Sequence, residues 1–280
     1  MRVISLINMK GGVGKTTMAT NICDCMSRRL GKKVLLVDID PQFNSTQCLF
    51  VGDEYFNYLN DGKDTICTIF QGSVLNVGTV GGTKVVKKDF KDIEPYQYRD
   101  NWYLIPGNLN LFKIEMSAGE GKENRLKKFL KTIDEQYHFD YVIIDTPPTP
   151  SIWMTSALLA SQYYVIPVKP EPLSYTGIDL LTNIIEEKKV NLDLDIECLG
   201  VILTMVEEGT LVYNKTIQRM DGDPHWAHLR FAHSIKKRTD VPKTQLNGQF
   251  ILDLPHHDIK TSLVNIVDEL IDRINEKETK

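Results

Sequence analysis

Between Lys10 and Thr17 the chain reads Lys-Gly-Gly-Val-Gly-Lys-Thr-Thr. Glycines at this density let successive backbone N–H groups turn inward on a polyphosphate, a lysine neutralises its outer charge, and a hydroxyl reaches a Mg²⁺ ion. Gly11, Gly12 and Gly14 supply the turn around Val13, Lys15 the cation, and Thr16 the hydroxyl, with Thr17 following. Two further apolar runs end in acids. Val34-Leu35-Leu36-Val37 leads into Asp38-Ile39-Asp40-Pro41-Gln42, and Tyr141-Val142-Ile143-Ile144 leads into Asp145-Thr146-Pro147-Pro148. Asp40 is the candidate for orienting an attacking water; Asp38 serves the same chemistry or holds its loop through hydrogen bonds. Asp145 is suited to hold Mg²⁺ through its waters, since that ion keeps several waters and takes few protein ligands. Thr16, Asp40 and Asp145 are the candidate metal residues, and Lys15 and Asp40 the catalytic ones that the motifs themselves suggest.

These groups need rigid elements behind them. An apolar run, Val3-Ile4-Ser5-Leu6-Ile7-Asn8, precedes the glycine loop, and Ala19, Ile22, Cys23, Met26 and Leu30 recur on one helical face after it. The loop therefore joins a strand to a helix whose N-terminal dipole also favours phosphate. Further strands are expected at Val34–Ile39, Trp102–Pro106, Tyr141–Asp145, Tyr163–Val168 and Leu199–Thr204, with Arg230–Ile235 a weaker seventh. Amphipathic stretches such as Lys122–Tyr137 and Gly177–Lys189 lie between them. The alternation predicts an α/β protein with a mostly parallel twisted sheet and helices on both faces, and the glycine loop behind the first strand makes the expectation a three-layer P-loop NTPase fold. The 280 residues, 42% hydrophobic and 25% charged, suit one domain spanning 1–280. Residues 52–100, rich in Gly, Asp and Lys around Gly78–Gly82, read as an irregular insertion on its rim.

The extra lysine at the start of the glycine loop carries a family mark. The loop resembles the deviant Walker A motif of the ParA/MinD superfamily of ATPases, and Asp38–Gln42 is similar to the family's Asp-x-Asp-Pro-Gln pattern. Asn44-Ser45-Thr46 continues it where relatives have Gly-Asn-x-Thr. By this resemblance ATP and Mg²⁺ are the ligands, Lys15 is the cis lysine, and Lys10 reaches the phosphates of a partner subunit in a nucleotide-sandwich homodimer. Leu104–Leu109 and Pro167–Pro172, with Gly177 beyond, look like further ParA segments. Gly200–Met205 resembles the strand whose end approaches the adenine, which places Met205 among the nucleotide contacts. The resemblance thins after Glu207, where Glu207-Glu208-Gly209-Thr210 lacks the arginine of the relatives' Asp-x-Arg-Thr.

That arginine is one of the residues with which ParA dimers hold DNA. A basic cluster follows here, Lys236-Lys237-Arg238 with Arg230 before it and Lys243 after it. It reads either as a solvated loop or, with the ATPase motifs, as a surface for non-specific double-stranded DNA. The net charge of −4 makes any such surface a local patch. The resemblance then implies a ParA/Soj-type partition ATPase, released from DNA when a ParB-like centromere-binding protein stimulates hydrolysis. A chain opening on its first strand points to no N-terminal helix-turn-helix. The alternative is a MinD-like switch for a membrane or protein cargo. The tail Ser262–Ile274 is amphipathic, but its polar face is acidic and would be repelled by anionic lipid, so it is expected to pack on the sheet. A cluster-carrying relative would need cysteines placed to bridge a dimer, and the five present do not follow that pattern. They lack metal or redox spacing, which together with the absence of a long apolar span predicts a cytoplasmic protein, nucleoid-associated when ATP-bound. His225, His228, His233 and His256-His257 are not spaced as metal ligands, and Trp102, Trp153 and Trp226 are expected in packing roles.

Overall fold

The computed structural model describes residues 1–71, 88–117, 121–171, 174–245 and 247–279, so Gly78–Gly82 and Pro172 lie outside the described residues. Seven strands form one sheet: β1 (Arg2–Leu6), β2 (Val34–Asp38), β3 (Tyr96–Arg99), β4 (Trp102–Ile105), β5 (Tyr141–Asp145), β6 (Tyr163–Val168) and β7 (Glu197–Leu203). Their order is β3-β4-β2-β5-β1-β6-β7, parallel throughout except for the antiparallel β3–β4 pair. The helices are α1 (Lys15–Leu30), α2 (Asn44–Leu49), α3 (Glu54–Asn60), α4 (Ile66–Phe70), α5 (Leu111–Met116), α6 (Arg125–Tyr137), α7 (Ile152–Ala160), α8 (Ser174–Leu192), α9 (Leu211–Asp221), α10 (Pro224–Ala227), α11 (Asp240–Gln245) and α12 (His257–Glu278).

The central strands are apolar on both sides because both sides are covered. Ile4, Leu6, Leu36 and Ile143 pack toward α1 and α12, whereas Val3, Val37, Val142 and Ile144 pack toward α4, α6 and α7. A third cluster joins β6 and β7 to α8. The two-residue period of a strand sends alternate side chains to opposite layers, so near-continuous apolar runs are what a doubly covered parallel sheet requires. Trp102 and Trp153 are fully buried in these layers, and Trp226 almost so. The acidic tail behaves likewise: Ile259, Leu263, Ile266, Val267, Leu270 and Ile274 of α12 are buried in the cluster shared with α1.

Two elements differ from the sequence expectation. Arg230–Ile235 does not form a strand; its neighbourhood makes only single bridges, Val201 to Arg230 and Val206 to Lys236. The rim region is more regular than its composition suggests, since its described parts contain α3, α4 and β3. β3 turns back from β4 through Asp100 and the left-handed Asn101 at φ 60°, a conformation asparagine tolerates.

β3 also delivers Arg99 to the phosphate-loop helix. Arg99 Nη1 lies 2.9 Å from Asp24 Oδ1, and Arg28 Nη2 lies 3.0 Å from Asp24 Oδ2. Asp24 is wholly buried, and that burial outweighs the two arginines and pushes its carboxyl up to about 6. A folded-state value above the ordinary 3.8 means that a proton favours the folded form. The contribution is full below the unfolded value and is lost as pH rises through the folded one. Arg99→Ala, which leaves that carboxylate one cation short, is expected to destabilise the protein by about 3 kcal/mol at pH 8 and by less at pH 5. Urea denaturation at the two pH values checks it; equal losses would mean that Asp24 stays charged throughout.

Candidate functional site

β1, β2 and β5 end side by side, with Asp145 in register with both Leu6 and Asp38. The carboxyl ends of these three strands bring the three motifs together at one edge of the sheet, where parallel α/β sheets bind ligands. Gly12 and Gly14 adopt left-handed conformations at φ 70° and 84°, and Gly14 caps α1. A cleft of about 460 Å³ opens there, lined by Gly11 to Thr17, Asp40, Gln42, Met205 and Gln245 among others.

Lys15 is the cation inside this cleft, 7% exposed, with Nζ donating to the carbonyls of Asn8 at 3.0 Å and Lys10 at 3.4 Å. Burial lowers its pKa, opposed by Asp145 and Asp40. An ammonium satisfied by carbonyls alone, at the mouth of a glycine turn, is placed to receive an anion. Thr16 Oγ1 donates to Asp145 Oδ2 at 2.8 Å, and Ser45 Oγ donates to the same oxygen at 2.7 Å. Asp145 is fully buried and its Oδ1 has no partner among the described residues, while burial pushes its carboxyl up to about 6. A buried carboxylate oxygen left open beside a threonine hydroxyl fits a divalent cation reached through water. Thr16, Asp145 and Asp40 are the residues that could hold it.

Asp38 and Asp40 have separate environments. Asp38 is wholly buried and its Oδ2 accepts from Thr46 N at 2.8 Å and Thr46 Oγ1 at 2.7 Å; Gly107 N in turn donates to Thr46 Oγ1 at 2.7 Å. Desolvation, with Asp145 alongside, pushes its carboxyl well up. Of its two sequence readings, these bonds support the loop-holding one. Asp40 lines the cleft; its Oδ1 accepts from Gln42 N at 2.9 Å, and burial raises its pKa. A carboxylate at the cleft, biased toward the proton-accepting range, suits the handling of a water.

Phe43 stands where the family pattern has glycine, and it takes the glycine-like conformation, φ 43° and ψ 40°. Such a conformation costs a side-chain-bearing residue roughly 1–2 kcal/mol. Stacking on Tyr55, ring centroids 5.4 Å apart, offsets part of this. The fit forces the neighbour to be small: a Cβ on Gly107 would lie 2.7 Å from that of Phe43 and 2.8 Å from Asp38 Cγ.

Lys10 occupies a different place from Lys15. Its side chain is 45% exposed and pairs with Glu171, which also meets Lys169 at 2.7 Å. The two lysines hold the Glu171 carboxyl well below the usual range. Asn8 fixes the start of the loop, accepting from Lys10 N at 2.9 Å through Oδ1 and donating to Pro167 O at 2.8 Å through Nδ2. Val13 O accepts from Thr204 Oγ1 at 2.7 Å, and Thr17 Oγ1 donates to Gln245 Oε1 at 3.4 Å. Met205, left-handed at φ 49°, lines both this cleft and an adjoining apolar cavity of about 240 Å³, which Gly14, Met18, Ile235 and Pro242 help to enclose.

Ser45, Asn8, Glu171, Pro242 and Gln245 were not among the sequence candidates. Ser45 lies inside the motif continuation that had been noticed, and Asn8 ends the first strand. Glu171 lies in the Pro167–Pro172 segment already matched to the family, whereas Pro242 and Gln245 come from distant segments with no motif of their own. Of the basic candidates, Lys243 is exposed on α11 and the other four are ion-paired. Arg230 meets Asp221 at 2.8 Å, Lys236 meets Glu208 at 2.9 Å, Lys237 meets Glu207 at 2.6 Å, and Arg238 meets Asp258 at 2.7 Å.

Known proteins are similar to this chain in sequence and fold. The AAA domain family model matches residues 1–198. The sporulation initiation inhibitor protein Soj of Bacillus subtilis is 34% identical over 218 residues, 75% of this chain and 74% of its own length. The chromosome-partitioning ATPase Soj of Thermus thermophilus is 34% identical over 212 residues, covering 76% and 72%. The AMPPNP-bound structure of a Borrelia burgdorferi plasmid partition protein superposes with a TM-score of 0.75 at 26% identity, over 97% of this chain and 98% of that one. With a family model spanning most of its length and Soj proteins aligned over three quarters of it, the chain belongs to the ParA/Soj family of partition ATPases.

Proposed function

We propose that this protein is an ATP-dependent DNA segregation ATPase: with ATP and Mg²⁺ it forms a sandwich homodimer, binds duplex DNA without sequence preference, and leaves DNA when a ParB-like centromere-binding protein stimulates hydrolysis. The observation that carries the reading is the separation of the two loop lysines. Lys15 is buried in its own cleft, whereas the exposed Lys10 projects from the loop to the half-buried carboxylate of Glu171. An exposed Lys10–Glu171 pair is held weakly, so a second protomer's phosphates can compete for the ammonium. A cation supplied in trans to charge developing on a transferring phosphoryl group ties hydrolysis to dimerisation.

Within one protomer the turn amides and Lys15 bind and orient the phosphates. Thr16, Asp145 and Asp40 would hold Mg²⁺, which would supply neutralisation of phosphate charge. Asp40 accepts a hydrogen bond from the attacking water and directs it. The protein works in the cytoplasm and on the nucleoid in this reading. Membrane attachment through the tail is disfavoured because the apolar face of α12 is already buried against α1, and among the described residues no helix is long and apolar enough to cross a membrane.

Retardation of arbitrary duplex DNA with ATP, with ADP and without nucleotide, at two salt concentrations, tests the proposal. Binding is expected with ATP and to weaken steeply with salt; binding indifferent to nucleotide sinks it. Asp40→Ala is expected to slow phosphate release by about 10²- to 10⁴-fold while an ATP-bound dimer accumulates on DNA. Unchanged turnover would remove Asp40 from the chemistry.

A further inference from the structure

The segment leaving β7 touches three things in succession. Thr204 is bonded to the phosphate loop through Val13 O at 2.7 Å. Met205 walls the apolar cavity beside Gly14, and Lys236 to Thr239 form part of the same wall. Val206 then pairs its backbone with that basic segment: Val206 N donates to Ile235 O and Lys237 N donates to Val206 O, each at 3.0 Å. The next two residues are the acids that cover the basic side chains, Glu207 on Lys237 and Glu208 on Lys236. One short stretch of backbone thus links the nucleotide cleft to the charge state of the candidate DNA surface.

We propose that Glu207 and Glu208 act as internal phosphate mimics, covering Lys237 and Lys236 until a nucleotide base enters the neighbouring cavity and shifts the loop that carries them. The inference rests on the DNA-binding reading above and adds how that binding is gated inside one protomer. Carboxylate and phosphate oxygens compete for the same ammonium donors. With both acids in place the four side chains sum to zero, two positive and two negative, so these two lysines offer DNA no net charge. All four are between 38% and 55% exposed, so the pairs are weak enough to be exchanged for phosphate. Met205 sits at the pivot in a left-handed conformation unfavourable for a residue with a side chain, a local strain that a small displacement of the loop relieves.

The test compares the wild-type chain, E207Q/E208Q, and E135Q/E276Q, which makes the same change of net charge at exposed positions elsewhere. Fluorescence anisotropy reads binding of an arbitrary duplex at two salt concentrations, without nucleotide and with AMPPNP. E207Q/E208Q is expected to raise nucleotide-free affinity about tenfold and to steepen the slope of log K against log salt by about 2, one for each lysine newly on phosphate. With AMPPNP its advantage over wild type falls below about twofold. An equal gain with and without AMPPNP, a gain matched by E135Q/E276Q, or no gain overturns the gate while leaving the partition reading intact. Absence of DNA binding by all three proteins in both states, with AMPPNP binding retained, overturns the DNA reading itself and the gate with it.

Discussion

Lys10→Ala is expected to bind ATP within about threefold of the wild-type affinity, yet to lose about 10³-fold of its partner-stimulated hydrolysis. The expectation follows from where the side chain is. Lys10 Nζ is engaged with Glu171 outside the cleft, while the cleft's own ammonium is that of Lys15, so truncation leaves the protomer's phosphate contacts intact. The lost cation would have met charge that develops during phosphoryl transfer in the opposite protomer. Single-turnover phosphate release, with nucleotide affinity measured alongside, separates the two effects. A fall in ATP affinity equal to the fall in rate would make Lys10 a ground-state ligand of its own site.

Lys15→Ala is expected to show the complementary behaviour, with nucleotide affinity reduced by about 10²- to 10³-fold. Truncating one partner of a buried, hydrogen-bonded charge pair costs roughly 2–5 kcal/mol, and each 1.4 kcal/mol is tenfold. Thermal stability without ligand should change little. Burial already disfavours the charged form of Lys15, so in the free protein its ammonium contributes to binding more than to folding. Titration with a fluorescent ATP analogue and a melting curve decide the matter. Retained affinity would move the phosphate site away from this loop, and a collapse of stability would make the residue structural.

Much of this was legible in the sequence because each motif is a contiguous strand and turn. A run such as Val34–Val37 is apolar because the sheet is covered on both sides, and its acids sit at the strand end by chain connectivity alone. The short β3 was not legible: it is half-buried and earns its place by pairing with β4 and carrying Arg99 to Asp24. The expected strand at Arg230–Ile235 failed for the converse reason, since the backbone there pairs through single bridges at Arg230 and Lys236 rather than through a ladder.

The order of strand, glycine turn and helix, the acids that follow β2 and close β5, and the two lysines of the loop are determined by the sequence itself, because local backbone geometry fixes them. Only the tertiary structure decided that Ser45 shares Asp145 with Thr16, that Pro242 and Met205 wall one cavity, and that Lys236 and Lys237 carry acidic partners. Those relations join residues tens to more than a hundred positions apart. No local periodicity encodes them, since they arise when packing of the layers brings separate loops to the same edge of the sheet.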